Sequence, residues 1–150
     1  MKCLVLGIGN LLRSDDGIGI HIIDSLRKEN LDNKIDINEG LSGLDVLDAI
    51  NGYDRVIIVD AIKSNVEPGT IYKLSLEDLS HKQTLHSYST HDVDFLTVLK
   101  LGSKLFPGKM PNDIIIIAVE AEDITTISEK CTPKVEKAIK EVVELIKGLL

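Results

Sequence analysis

Cys3-Leu-Val-Leu-Gly-Ile-Gly-Asn-Leu-Leu-Arg-Ser-Asp-Asp-Gly-Ile-Gly19 is the stretch on which the fold turns. Cys3–Gly7 is a short apolar strand that ends in Gly-Ile-Gly-Asn10. Gly17 to about Arg27 then reads as a helix, because Ile18, Ile22, Ile23 and Leu26 share one face at helical spacing. The rest of the chain repeats the alternation. Lys34–Asn38 is a weaker strand with Ile35 and Ile37 alternating, and Ser42–Ile50 is a short helix carrying Leu44, Leu47 and Ile50. Arg55–Val59 is a β-branched run of the kind that forms a strand covered on both faces.

The next step departs from the pattern. Nine residues, Ala61–Gly69, separate that strand from Thr70–Leu74, and Pro68-Gly69 marks a turn. A parallel crossover needs about a dozen residues or more, so Thr70–Leu74 is expected to run antiparallel to its predecessor at a sheet edge. Leu76–Tyr88 reads as irregular. Ser89 and Asp92 fit a capping box that opens a helix with Val93, Leu96, Leu99 and Leu105 as its apolar stripe. Asp113–Val119 is a further buried strand. Thr132-Pro133 supplies an N-cap and first-turn pair for a last helix striped by Val135, Ala138, Ile139, Val142, Val143 and Ile146. Alternating strands and helices predict a single α/β domain over 1–150: a three-layer α/β/α sandwich around a five-stranded, mostly parallel sheet with one antiparallel edge strand.

Composition narrows the partners. Seventeen basic residues against 24 acidic ones leave a net charge of −7, which disfavours a phosphate backbone or an anionic membrane surface. The longest apolar run, Ile114–Val119, falls far short of the roughly 20 residues that span a bilayer. One Lys and an apolar run broken by Gly7 and Gly9 make a poor signal peptide, so a cytoplasmic location is expected. Two cysteines, Cys3 and Cys131, form no disulfide framework.

Sites in such folds lie at the carboxyl ends of the parallel strands. That edge gathers Asn10–Gly17, Glu39–Gly43, Asp60, Ser89–His91–Asp92, Glu120 and Glu122. A dinucleotide reading fails at Leu12, where the third glycine of the fingerprint belongs, and Asp15 and Asp16 would repel a phosphate. One aspartate suffices to cap the helix; two in succession before Gly17 suit a cation. Asp16, Asp60 and His91 are the candidate ligands. Two carboxylates and an imidazole suit zinc, nickel or iron(II) better than calcium. Asp60 taken alone reads equally well as a loop-bonding group, and His91 as a surface residue. His21, His81 and His86 read as surface groups, Cys3 as a buried strand residue. Cys131 begins the last helix, where a thiol pKa can fall. There is neither an H-E-x-x-H helix nor a G-x-S-x-G elbow.

Gly7-Ile-Gly-Asn-Leu-Leu-Arg-Ser-Asp-Asp16-Gly-Ile-Gly19 resembles the N-terminal signature of the hydrogenase maturation endopeptidases. Val59-Asp60-Ala61 and Ser89-Thr-His91-Asp resemble that family's second and third motifs, in the same order and spacing over essentially the whole chain. The resemblance implies cleavage of a C-terminal extension from a nickel–iron hydrogenase large-subunit precursor after nickel insertion. It implies that Asp16, Asp60 and His91 bind the precursor's nickel, with zinc as another divalent ion the site can take. Asp16 stands where the family often has Glu. A looser match, Glu39-Gly40-Leu41-Ser42-Gly43, stands at the family's glycine-rich recognition loop and implies that Glu39, Gly40, Ser42 and Gly43 contact the precursor. A nickel-holding chaperone that does not cut is the alternative, and a nucleotide-binding regulator is a more distant one.

Overall fold

The computed structural model describes residues 1–32, 35–39, 45–75, 77–78 and 95–150. Five strands are present: β1 (Cys3–Gly7), β2 (Ile35–Glu39), β3 (Arg55–Ile62), β4 (Ile71–Ser75) and β5 (Asp113–Glu120). They form one sheet in the order β2-β1-β3-β5-β4. All neighbours are parallel except β4, which runs antiparallel along β5. The expected antiparallel edge strand is therefore present, but its partner is β5 and not its predecessor β3. The short link 63–70 reverses the chain, and β5 fills the place beside β3.

Side chains alternate across the sheet because successive strand residues point to opposite faces. Val5, Ile57, Val59, Ile117 and Val119 bury one face against α1 (Ile18–Arg27) and, numbering the described helices in chain order, α4 (Pro133–Leu149). Leu4, Leu6, Ile8, Val56, Ile58 and Ile116 bury the other against α2 (Asp45–Ile50) and α3 (Phe95–Leu105). The predicted stripe of α4 is buried at Val135, Ala138, Val142, Val143 and Ile146. Ile146→Ala would cost about 2–5 kcal/mol from lost burial and the cavity left behind. In α3 Val98 and Leu99 are buried, but Leu105 is 58% exposed and is not part of the stripe. It is the last residue of the helix. The predicted start of this helix, including Ser89 and Asp92, lies outside the described residues, as does most of Leu76–Tyr88. No helix among the described residues is long and apolar enough to cross a membrane.

The start of α1 is pressed onto the sheet. A Cβ on Gly19 would come within 2.5 Å of the Ile8 carbonyl and 2.6 Å of the Val59 carbonyl. Both atoms are backbone, so only glycine lets the helix approach the ends of β1 and β3 this closely. This contact positions the site described next.

Candidate active site

A 3-10 turn, Ser14–Gly17, leads into α1 and is wholly buried. It carries Asp15 and Asp16, which are 0% and 1% exposed. Neither caps a helix: no side-chain cap bond forms at the start of the turn or of α1. Asp16 Oδ2 instead accepts the Asn10 amide at 3.1 Å, closing the loop after β1 onto the turn. Gly9 makes that closure possible, with φ of +151° and the Asp16 carbonyl 2.1 Å from where its Cβ would be.

Asp15 has a different task. Its Oδ2 accepts the amides of Glu122 and Asp123 at 2.9 and 3.0 Å and the Thr132 hydroxyl at 2.8 Å. Its Oδ1 accepts the Thr132 amide at 2.7 Å. The predicted N-cap Thr132 holds its place at the start of α4, but its hydroxyl bonds Asp15 and makes no cap bond. Asp15 thus fastens the turn to both ends of the loop that joins β5 to α4. Ser14 adds to this. It adopts a left-handed backbone (φ 51°), unfavourable for a residue with a side chain. Its amide donates to the Ser128 carbonyl at 2.8 Å and its hydroxyl to the Lys130 carbonyl at 3.1 Å.

Asp60 does not end β3; the strand continues to Ile62. It is 3% exposed and lies in register with Ala118. Its Oδ1 accepts the Ala61 amide at 2.8 Å. The turn bearing Asp16 packs against β3, and Gly19 sits on the carbonyl of Val59, the residue before Asp60. The two candidate carboxylates therefore occupy neighbouring places at one buried edge. Glu120, in register with Ile62, is also fully buried; its carboxylate accepts the Ser64 amide at 2.8 Å and the Ser64 hydroxyl. That ties off the exit of β3.

The third predicted ligand, His91, lies outside the described residues, as do Gly40, Ser42, Gly43, His81 and His86. Glu39 ends β2 and forms an ion pair with Arg27 at 3.0 Å. Among the described residues no three His, Cys, Asp or Glu side chains are grouped to hold a metal ion. Asp16 and Asp60 supply two oxygen donors of the type a divalent cation takes, and the set needs a further ligand to fit one.

The Cys131 thiol is pushed up to about 12, chiefly by burial and then by the negative charges of Asp15 and Glu136. Desolvation and carboxylates outweigh the lowering that a helix start can give a thiol. His21, expected at the surface, has a buried Nε2 with no hydrogen-bond partner, and it lines a cavity of about 300 Å³ with Cys131, Glu129 and Glu136. Asp15, Thr132 and Asp123 were missed as a unit. Local pattern contains no sign of a contact spanning 117 positions.

The fold is that of a class of small α/β endopeptidases. The hydrogenase maturating endopeptidase HybD from Escherichia coli superposes with a TM-score of 0.86 at 31% identity, over 100% of this chain and 92% of that one. The [NiFe] hydrogenase maturation protease HybD from Thermococcus kodakarensis superposes with a TM-score of 0.81 at 26% identity, over 99% of both. In sequence, the hydrogenase 2 maturation protease of Escherichia coli K12 is 31% identical over 100% of this chain and 91% of its own length. The family model for hydrogenase maturation protease matches residues 20–148. The chain belongs to the hydrogenase maturation protease family.

Proposed function

We propose that this protein is a cytoplasmic endopeptidase that removes the C-terminal extension of a nickel–iron hydrogenase large-subunit precursor once nickel is in place. The observation that carries the reading is the pair of buried carboxylates, Asp16 and Asp60, at the carboxyl edge of β1 and β3. Membership of the maturation protease family supports the reaction class.

In this reading the nickel arrives with the substrate. Asp16, Asp60 and His91 would hold it, and it would supply Lewis-acid polarisation of the scissile carbonyl or a lowered pKa for the attacking water. Zinc is a plausible substitute occupant on the same donors. Asp16 is the favoured general base. Water adds across the peptide bond, the C–N bond breaks, and the proton passes to the leaving amine. Glu39, Gly40, Ser42 and Gly43 form the recognition loop.

A non-cutting nickel chaperone is the competing account. Intact mass of the nickel-loaded precursor after incubation separates the two. Loss of a C-terminal fragment supports the peptidase. Stable complex formation at unchanged mass would establish the chaperone.

A further inference from the structure

Two large apolar side chains stand in water beside the Asp16 turn: Leu12 is 55% exposed and Ile127 is 87% exposed. They are held next to each other. The Ser128 amide donates to the Leu12 carbonyl at 3.0 Å, and the Ser14 amide donates to the Ser128 carbonyl at 2.8 Å. These two bonds make a parallel bridge between Arg13 and Ser128. Leu12 and Ile127 each precede one residue of that bridge, so the bridge holds the two segments side by side.

The segment that displays Ile127 is unusually well fastened for a surface loop. Asp15 accepts three amides from it, at Glu122, Asp123 and Thr132. Asp123 accepts the Thr125 and Thr126 amides, both at 3.0 Å, and the Thr126 hydroxyl at 2.5 Å. The Arg13 side chain donates to the Ile124 carbonyl at 3.0 Å. A loop held this firmly has little ordering entropy left to lose on binding. An exposed apolar centre with a charged rim, here Arg13, Glu122, Glu129 and Lys130, is the layout of a protein-binding patch.

We infer that Leu12 and Ile127 form a docking ridge for the precursor, receiving an apolar patch of its polypeptide beside the cleaved tail. This rests on the proposed function. What commits the ridge to that occupant is continuity: Leu12 lies four residues before Asp16, on the loop that the Asn10–Asp16 bond closes. The Ser14–Ser128 bond ties the ridge to the turn that carries Asp16, so a chain segment bound at that turn has the ridge beside it.

The test measures binding and cleavage separately, on the full chain with nickel-loaded precursor. Leu12→Ser and Ile127→Ser, singly and together, are compared with the wild type by interferometry and by intact mass. The double variant is expected to raise Kd at least about tenfold with its melting temperature unchanged, and Ile127→Leu to restore binding. A double variant that binds as tightly as the wild type overturns the ridge, whether or not the wild type cleaves. A wild type that binds without cleaving overturns the peptidase reading alone. A dimer seen by sedimentation that the double variant dissolves would assign the ridge to a second copy of this chain and overturn the inference.

Discussion

Asp15 and Thr132 are joined by two hydrogen bonds, the Thr132 amide to Oδ1 at 2.7 Å and the Thr132 hydroxyl to Oδ2 at 2.8 Å. The pair connects the turn that carries Asp16 to the N-cap of the longest helix described. Adjacent aspartates thus divide the labour: Asp15 holds the edge together, and Asp16 stays at it.

Asp15→Asn replaces an acceptor of four bonds by a group with one acceptor oxygen. It leaves buried amides of the β5–α4 loop unmatched and should lower unfolding stability by about 3 kcal/mol. Thr132→Val removes the hydroxyl alone and should cost about 1 kcal/mol. Urea unfolding monitored by circular dichroism checks both values, and equal losses in the two variants would contradict the hub role of Asp15.

Asp16→Asn and Asp60→Asn keep the shape of the buried edge and remove its charge. Each should reduce processing at least ~100-fold while changing thermal unfolding little, because the one amide oxygen left can still accept the Asn10 or Ala61 amide. Precursor mass and a melting curve on the same sample decide it. Processing retained by either variant removes that residue from the mechanism.

Cys131 should be a poor nucleophile. With its thiol pushed up to about 12, almost none is thiolate at pH 7, and thiolate is the reactive form. A disulfide reagent should modify it far more slowly than a free thiol at pH 8, and Cys131→Ser should process the precursor. Rapid modification at neutral pH would contradict the assigned surroundings.

The β5–α4 loop should be acid-resistant. Asp123 is lowered to about 2, first by the Thr126 hydroxyl and then by the Thr126 and Thr125 amides. A depressed folded pKa adds stability that is complete above the ordinary carboxylate value of about 3.8 and is lost as pH falls through about 2. Carboxyl carbon shifts in an NMR titration should place the Asp123 midpoint near the lower value, and Asp123→Asn should remove that transition.

Much of the sheet was legible because burial writes itself into local pattern. Arg55–Val59 and Asp113–Val119 are β-branched or apolar at nearly every place, which only a strand covered on both faces tolerates. Helix α4 was equally plain from its 3.6-residue spacing. Boundaries were less so: β3 runs past Asp60 because Ala61 and Ile62 still pair with Val119 and Glu120, and an acidic residue inside a strand resembles one that ends it. The Ala61–Gly69 length argument gave the direction of β4 correctly and could not name β5 as its neighbour. The burial of Asp16 and Asp60 at one sheet edge follows the topology read from the sequence. The Thr132 hydroxyl was read as a cap because its neighbours in the chain are a helix, while its partner in space is Asp15. Hydrogen bonds between distant segments leave no periodicity to read.

The central claim is that nickel in the precursor completes the Asp16–Asp60 edge and licenses cleavage. It is tested most directly by intact mass spectrometry of nickel-loaded and nickel-free precursor, each incubated with the purified protein. The account predicts loss of the C-terminal extension from the loaded precursor only. Equal cleavage of both would contradict it.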